Sequence, residues 1–472
     1  MSVHPENCQR KLTQGALCPK LALRAARLIR AQAVMITALA SCGLLCAMSK
    51  PTVTPVDSAA RSSAQGTEKG GTLVEEVVKD DRVRRAQDWI TKNTAWVTEQ
   101  QKAITEIPAP SFEEKERGAY MKKLLAGCGL RVHTDEIGNV IGERAGASSD
   151  EIVLIVAHMD TVFPGGTVVS VREEKGVLYA PGISDNGAGL ATLVGIARGM
   201  NEAKVKTHKT ILFAADLGEE GEGNLRGIRK LVEDYKVKLS AVIALDGAST
   251  DYVVTQALAS RRVEVTITGP GGHSWTDFGA PNPIDAMARG IARFVKIDVT
   301  GTPRTTYNIG QIEGGGSVNS IPSRVSMKVD IRSEQERELG RVEAALRDAI
   351  RTGIQEEMAA ANGRGMAPAD GAGLEMQLRS LGARPGGELA ANSKLLQALM
   401  DADRVVGNRS RVERSSTDAN IPLSLGIPAI ALGGGGKAGG AHTMGEWYDP
   451  AGREMGLKRA LLTLLSVAGV EK

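Results

Sequence analysis

Aromatic residues make up only 3% of this 472-residue chain, which leaves little material for stacking platforms that hold bases or sugars. Charge of one sign is also lacking. Lys+Arg 58 against Asp+Glu 55 gives +3, a balance that argues against nucleic acid or an anionic surface as partner. Cysteine is scarce, and four of the five (Cys8, Cys18, Cys42, Cys46) fall in the first 46 residues. Cys128 is left alone in the body, so no intrachain disulfide forms there, and it reads as a small buried apolar residue. Long hydrophobic runs are missing too: the apolar stretch 31–39 is too short to span a bilayer. No internal repeat is visible.

Apolar residues at 42% and charged residues at 24% are ordinary for a globular protein, and the length allows two domains or more. Arg24, Arg27 and Arg30 precede the 31–39 stretch, and small residues follow, the pattern of an export signal over residues 1–49. Leu39-Ala40-Ser41-Cys42 resembles a bacterial lipobox, with Cys42 as the lipidated residue; ordinary cleavage near Ser49 is the competing reading. The chain is thus expected to be exported, periplasmic or lipid-anchored, and to meet a membrane only through that signal or anchor. Residues 50–80 are polar, small and Pro-containing, and read as a disordered tether.

The body alternates helical and extended runs. Residues 82–106 and 112–128 have helical periodicity; short apolar runs at 131–134, 139–144, 152–157, 210–215 and 241–245 read as strands, with helices at 187–200 and 226–235 between them. That interleaving predicts an α/β sheet with functional groups at strand ends. From residue 259 to 382 the order becomes β-α-β-β-α-β, the order of a small ferredoxin-like module. The flanking segments 82–258 and 383–472 then form one discontinuous domain, because chemistry-bearing motifs lie on both sides of the insert.

Five metal-type ligands stand in order along it. His158 lies in LIVAHMDTVFP, Asp185 in GISDNGAG, Glu220 in FAADLGEEGEGN, Asp246 in IALDG and His442 in GGAHTMGE. Each follows an apolar run or a glycine-rich turn, and the chain has only six histidines. Two imidazoles and three carboxylates suit two zinc ions that share a bridging group. Asp185 precedes an apolar helix, so it or Ser184 can cap that helix instead; a bridging carboxylate, by contrast, must project from a tight turn, which the glycines supply. Glu219 and Glu220 are adjacent carboxylates that repel one another unless a cation is near. A division of labour resolves this, with one binding metal and the other free to take a proton from water. Asp160, two residues after His158 on an extended chain, can orient that imidazole or a neighbouring site group.

These motifs resemble the co-catalytic dizinc peptidases, the family that includes carboxypeptidase G, aminoacylase, bacterial dipeptidases and peptidase T, from about residue 85 to the C-terminus. The resemblance implies a zinc aminopeptidase-like α/β catalytic domain with the ferredoxin-like module as an inserted lid, and a homodimer formed through that lid. It implies that His158 and Asp246 serve one zinc, Glu220 and His442 the other, and that Asp185 bridges them. Cobalt or manganese can take the place of zinc. Glu219 becomes the general base, Asp160 its supporting neighbour, and His273, in Gly271-Gly272-His273-Ser274, the group that reaches a neighbouring active site. Asn319, Arg332 and Arg384 resemble residues that contact substrate, Arg384 through the substrate's carboxylate, although an arginine placed like Arg332 on a lid strand is more often a surface residue. Asp at 246 and the segment Ser416–Asn420 resemble the di- and tripeptidase branch. The alternatives are a carboxypeptidase or N-acyl-amino-acid amidohydrolase, and a non-catalytic peptide-binding lipoprotein, against which the intact Glu219 argues.

Overall fold

The computed structural model describes residues 73–364 and 373–471. The expected signal at 1–49 with its lipobox Cys42 lies outside the described residues, as does the tether up to residue 72. The tether expected through residue 80 ends earlier, since Leu73–Val77 is helical, with Val74 and Val77 buried. Apolar residues three and four apart at 74, 77 and 78 give this short turn a face to bury. A second difference lies at Asn93. The helix expected over 82–106 is two helices, Asp81–Lys92 and Thr94–Thr105, and the Asn93 side chain donates to the Trp89 carbonyl at the break. That local bond competes with helix propagation.

The larger body is built on a nine-stranded sheet. Its strands run, edge to edge, Arg131–Thr134, Val140–Arg144, Lys209–Asp216, Ser148–His158, Leu239–Leu245, Ala429–Leu432, Tyr252–Ala257 and Gly387–Glu388, with Arg411–Ser415 paired to Tyr252–Ala257. Four neighbouring strands, from Lys209–Asp216 to Ala429–Leu432, are mutually parallel. Their apolar runs are buried on both faces, as a parallel sheet requires: Val153, Leu154, Ile155, Val156 and Ala157 are all inaccessible. Each such Ile or Leu contributes roughly 1.5–3 kcal/mol, which makes the strand ends a rigid platform. Helices Gly187–Glu202 and Arg453–Ala468 pack against the central strand Ser148–His158. The strands at 252–257 and 411–415 carry no apolar run long enough to announce them, and they become strands only by pairing with each other and with this core.

Gly433 is needed where the strand Ala429–Leu432 ends. A Cβ there would lie 1.9 Å from the Ala248 carbonyl oxygen, so only glycine lets this turn pass the turn after Asp246. A small sheet, in the order Lys437–Gly439, Trp447–Asp449, Val177–Tyr179 and Arg172–Glu174, then ties the C-terminal turn to the segment before Asp185.

The inserted module is a four-stranded antiparallel sheet in the order Thr305–Gly314, Arg324–Ser333, Ala259–Thr268, Glu375–Arg384. Helices Pro283–Phe294 and Glu336–Gly363 pack together beside it. Alternation places Val263, Val265, Ile267, Val325, Met327, Val329 and Ile331 in its own core, while Arg262, Lys328 and Asp330 take the opposite parity. The last strand, expected at 374–378, runs on to Arg384 through a register shift between Ser380 and Gly382. Contacts join this module to the loop after Lys209–Asp216 and to the helix Arg226–Tyr235 that follows it: Lys328 Nζ lies 2.6 Å from Glu222 Oε1, Arg262 Nη1 donates to the Gly221 carbonyl, and Arg229 Nη2 donates to the Ala383 carbonyl.

Candidate metal centre

Three adjacent parallel strands deliver the site at their carboxyl ends, where open α/β sheets bind ligands. His158 is the last residue of Ser148–His158, Glu219 and Glu220 follow Lys209–Asp216, and Asp246 follows Leu239–Leu245. The expected ligands converge. His158 Nε2 lies 3.2 Å from Asp185 Oδ1 and 3.9 Å from Asp246 Oδ1, and His442 Nε2 lies 3.0 Å from Asp185 Oδ2 and 2.9 Å from Glu220 Oε1. Among the described residues three donor groups have their ligand atoms within 4.8 Å of one another: His158 with Glu219 and Glu220, and then a pair of groups, His158 with Asp185 and Asp246 and His442 with Asp185 and Glu220. Asp185 belongs to both, one oxygen facing each imidazole.

Asp185 is available for this because its neighbour caps the helix. Asn186 Oδ1 accepts from Gly189 N and from Gly247 N, and Asn186 Nδ2 donates to the Leu245 carbonyl. One side chain thus starts the helix Gly187–Glu202 and ties it to the strand end that carries Asp246. The capping alternatives weighed for Asp185 and Ser184 are therefore displaced by one residue. Glu446 fixes the same turn from the other side. Fully buried, it accepts from Gly182 N, Ser184 N, Ser184 Oγ and Asp185 N at 2.6–2.9 Å. Glu446 is four residues beyond His442, so one turn presents a ligand outward and clamps the opposing ligand inward. Its sequence signal was only a carboxylate close to a ligand histidine.

Asp160 acts differently from an orienter of His158. The imidazole Nδ1 sits 3.0 Å from the Asp160 carbonyl oxygen, and the Asp160 carboxylate is farther, at 3.7 Å. Donation from Nδ1 to that carbonyl leaves Nε2 as the lone-pair atom facing Asp185 and Asp246. The carboxylate itself accepts from Glu219 N, Glu220 N and Ser111 Oγ at 2.9, 3.0 and 2.5 Å. It therefore sets the backbone of the two-glutamate turn, and Ser111, far upstream and unremarkable in sequence, supports it.

The electrostatics suit cations. Burial disfavours charge on His158, yet hydrogen bonds to Asp185 and Asp246 raise its pKa well above that of a free imidazole. His442 is pushed up to about 10 by hydrogen bonds to Asp185 and Glu220. Burial works against ionised Asp185, but the two imidazoles prevail and hold it below the usual carboxylate range. Protons are attracted to the positions where a cation would sit. Asp185 Oδ1 is also buried without a hydrogen-bond partner of acceptable geometry. An orphaned carboxylate oxygen between imidazole nitrogens fits a pair of divalent ions of the borderline N/O-binding kind.

Glu219 is buried at 4% exposure; it lies within ligand distance of His158 and Glu220 but belongs to neither of the two groups that share Asp185. Burial pushes its pKa up to about 8; Arg384 pulls the other way and Glu220 adds to the rise. Beside it lies an acid pair that sequence reasoning did not single out, Asp216 and Asp418. Both are buried, the two Asp216 oxygens have no hydrogen-bond partner among the described residues, and burial raises both pKa values, Asp216 to about 7.

The remaining expected residues divide. Arg384 reaches the site but grips Glu219: Nη1 donates to Glu219 Oε1 at 2.8 Å and Nη2 to the Glu219 carbonyl. Arg332 donates to Asp330 Oδ2 at 2.7 Å. His273 is exposed on a two-residue strand paired with Ser320–Ile321, and its Nδ1 accepts from Trp275 N and Thr276 N within its own turn. Asn319, also exposed, accepts from Ser274 N through its carbonyl. Within a single chain, neither His273 nor Asn319 joins the donor groups among the described residues.

The same architecture recurs in known proteins. The solved aminopeptidase PepT from Bacillus cereus is similar at a TM-score of 0.61 and 21% identity, covering 80% of this chain and 99% of that one. A Bacillus subtilis protein described as a dinuclear metal-binding peptidase matches at a TM-score of 0.56 and 16% identity, covering 81% of this chain and all of that one. By sequence, a putative succinyl-diaminopimelate desuccinylase from Mycobacterium tuberculosis is 24% identical over 340 residues, 71% of this chain and 88% of the relative. Residues 154–466, which include all five converging ligands, match the description of peptidase family M20/M25/M40. The chain therefore belongs to that family and is a metal-dependent hydrolase.

Proposed function

We propose that the protein is a zinc-dependent exopeptidase that cleaves di- and tripeptides with a free amino end, with Glu219 as general base. The observation that carries this reading is Asp185, whose two carboxylate oxygens face two different imidazoles 3.2 and 3.0 Å away. His158, Asp246, Asp185, Glu220 and His442 would hold two zinc ions, which supply Lewis acidity to the scissile carbonyl and to the attacking water. Asp160 holds the 219–220 turn so that the Glu219 carboxylate faces the space beside these ligands. Glu219 accepts the proton of the attacking water and returns it to the nitrogen of the leaving amine. Burial excludes bulk water from this exchange and strengthens each charge interaction in it.

Asp rather than Glu at 246, and the Ser416–Asn420 segment, favour the small-peptide branch. A second reading, an N-acyl-amino-acid amidohydrolase or carboxypeptidase, is favoured by the sequence likeness to a desuccinylase. A panel of unblocked, N-acylated and C-amidated dipeptides separates them. The expected outcome is zinc-dependent cleavage of unblocked and C-amidated peptides with N-acylated ones spared; cleavage of N-acylated peptides alone would replace the first reading by the second.

The proposal extends to export by the N-terminal 1–49 segment and to a homodimer through the inserted module, which would bring His273 and Asn319 to a partner's site. Cell fractionation and sedimentation of the purified protein are expected to find exported dimers; a monomer at working concentration would leave His273 without a role.

A further inference from the structure

We infer that Arg384 is a positioning residue that holds the Glu219 carboxylate and its backbone in place, and is not a grip for the substrate's carboxylate. The inference rests on the reading of Glu219 as the base. A guanidinium recognises a carboxylate by presenting two parallel N–H groups from its planar fork. In Arg384 both Nη atoms are already engaged, and Nε, without a hydrogen-bond partner among the described residues, is buried away from any substrate. Nη1 donates to Glu219 Oε1 at 2.8 Å and to Ser416 Oγ at 3.1 Å, and Nη2 donates to the Glu219 carbonyl oxygen. The Arg384 and Glu219 side chains are 4% and 6% exposed, so no open face remains on which a substrate group could settle.

Two contacts on one residue constrain more than one. Holding the carbonyl fixes where the Glu219 backbone lies, and holding Oε1 fixes which way its side chain turns. Asp160 fixes the same residue from its amide side, through Glu219 N at 2.9 Å. The base is thus clamped at its amide, its carbonyl and its carboxylate. The Arg384 backbone is itself pinned. It ends the strand Glu375–Arg384 opposite Ser260, Arg229 holds the preceding Ala383 carbonyl, and Asn420 Nδ2 donates to the following Pro385 carbonyl at 2.9 Å. Gly382 makes the approach possible, because a Cβ there would fall 2.6 Å from the Asn224 side chain. The arginine therefore belongs to the inserted module by its backbone and to the catalytic turn by its side chain.

The test compares wild type with Arg384→Gln and Arg384→Lys on a dipeptide and on its C-terminal amide. Loss of positioning is expected to lower kcat by about 10²-fold on both substrates, with KM little changed and zinc content intact, and Lys, which keeps one of the contacts, is expected to recover part of the rate. A rise in KM confined to the free-carboxyl substrate, with kcat preserved, would return Arg384 to substrate binding and overturn the inference. A crystal structure of metal-free Arg384→Gln gives a readout independent of turnover: Glu219 is expected to leave its position while His158, Asp160 and Asp246 keep theirs, and an unmoved Glu219 refutes the clamp. If wild type cleaves neither substrate, the proposed function fails and this crystal structure still decides the clamp. Should Arg384→Gln fail to fold, Ser416→Ala removes one support of the guanidinium. It is expected to lower kcat modestly on both substrates, and an unchanged kcat counts against the clamp.

Discussion

Glu219→Gln is expected to abolish turnover while the protein still binds two zinc ions per chain. The substitution is nearly isosteric, and the amide oxygen of Gln still accepts from Arg384 Nη1, the bond that is 2.8 Å long in the wild type. The backbone contacts of residue 219 to Asp160 and Arg384 do not depend on its side chain and persist. What disappears is the ability to accept a proton from water. General-base catalysis by a positioned group contributes about 10²–10⁴-fold, so kcat should fall by roughly 10³-fold or more with KM little changed. The five residues proposed to hold metal are untouched, and metal analysis of the variant separates loss of the base from loss of the site. The fold should not suffer, because the change replaces a buried carboxyl by a neutral group of the same shape. Turnover within tenfold of wild type would remove Glu219 from the base role and leave Asp418 or Asp216 as the nearby acids to test.

The contrast between Glu219 and Asp160 explains what the sequence made legible and what it did not. Three of the five expected ligands, His158, Glu220 and Asp246, stood out because each follows an apolar run that becomes a parallel strand buried on both faces, whereas Asp185 and His442 were marked by glycine-rich turns. The β-α-β-β-α-β insert was legible for a related reason: its alternating strands, such as Val263, Val265 and Ile267, bury one face only. Supporting residues have no such mark. Glu446 meets the Asp185 turn across more than 250 positions of chain, and nothing local distinguishes it from a surface acid. Ser111 and Asn186 are equally silent, since a hydroxyl or an amide becomes a support only through the group it meets. Spacing left the Asp160 side chain two roles, orienting His158 or a neighbouring site group, because residues two apart share a face of a strand, and the structure gives it the second. The chain turns directly after His158, so the Asp160 carbonyl faces that imidazole while its carboxylate faces the next loop. For Arg384, an arginine beside a proline on an edge strand gives no sign that its fork is already occupied.

Asp185→Ala is expected to empty both metal positions at once, whereas Asp246→Ala or His442→Ala empties one. Asp246 and His442 belong to different donor groups, and Asp185 alone is common to those two groups. Losing even a supporting neighbour of a metal ligand typically costs 10–100-fold in affinity, and losing a shared carboxylate removes charge and a donor atom from each ion. Elemental analysis after dialysis should therefore find well under one zinc per chain in Asp185→Ala and about one in the other two variants. Thermal denaturation supplies a second measurement. A ligand at 100 times its Kd stabilises the folded state by about 2.7 kcal/mol, so added zinc should raise the Tm of the wild type and leave that of Asp185→Ala unmoved. Misfolding would be the competing explanation, and the metal-free proteins distinguish the two. Asn186 and Glu446 hold the turn by bonds to backbone atoms and to Ser184, none of which involves the Asp185 carboxylate. Removing this carboxylate relieves some repulsion among Glu219, Glu220 and Asp246, but it also takes from His158 and His442 the shared partner that both imidazoles favour in its ionised form. Metal-free Asp185→Ala should consequently melt somewhat earlier than metal-free wild type, yet still in one cooperative transition, which a misfolded protein lacks. Two zinc ions retained by this variant would mean that Asp185 bridges nothing, and the pairing of donors around it would need another purpose.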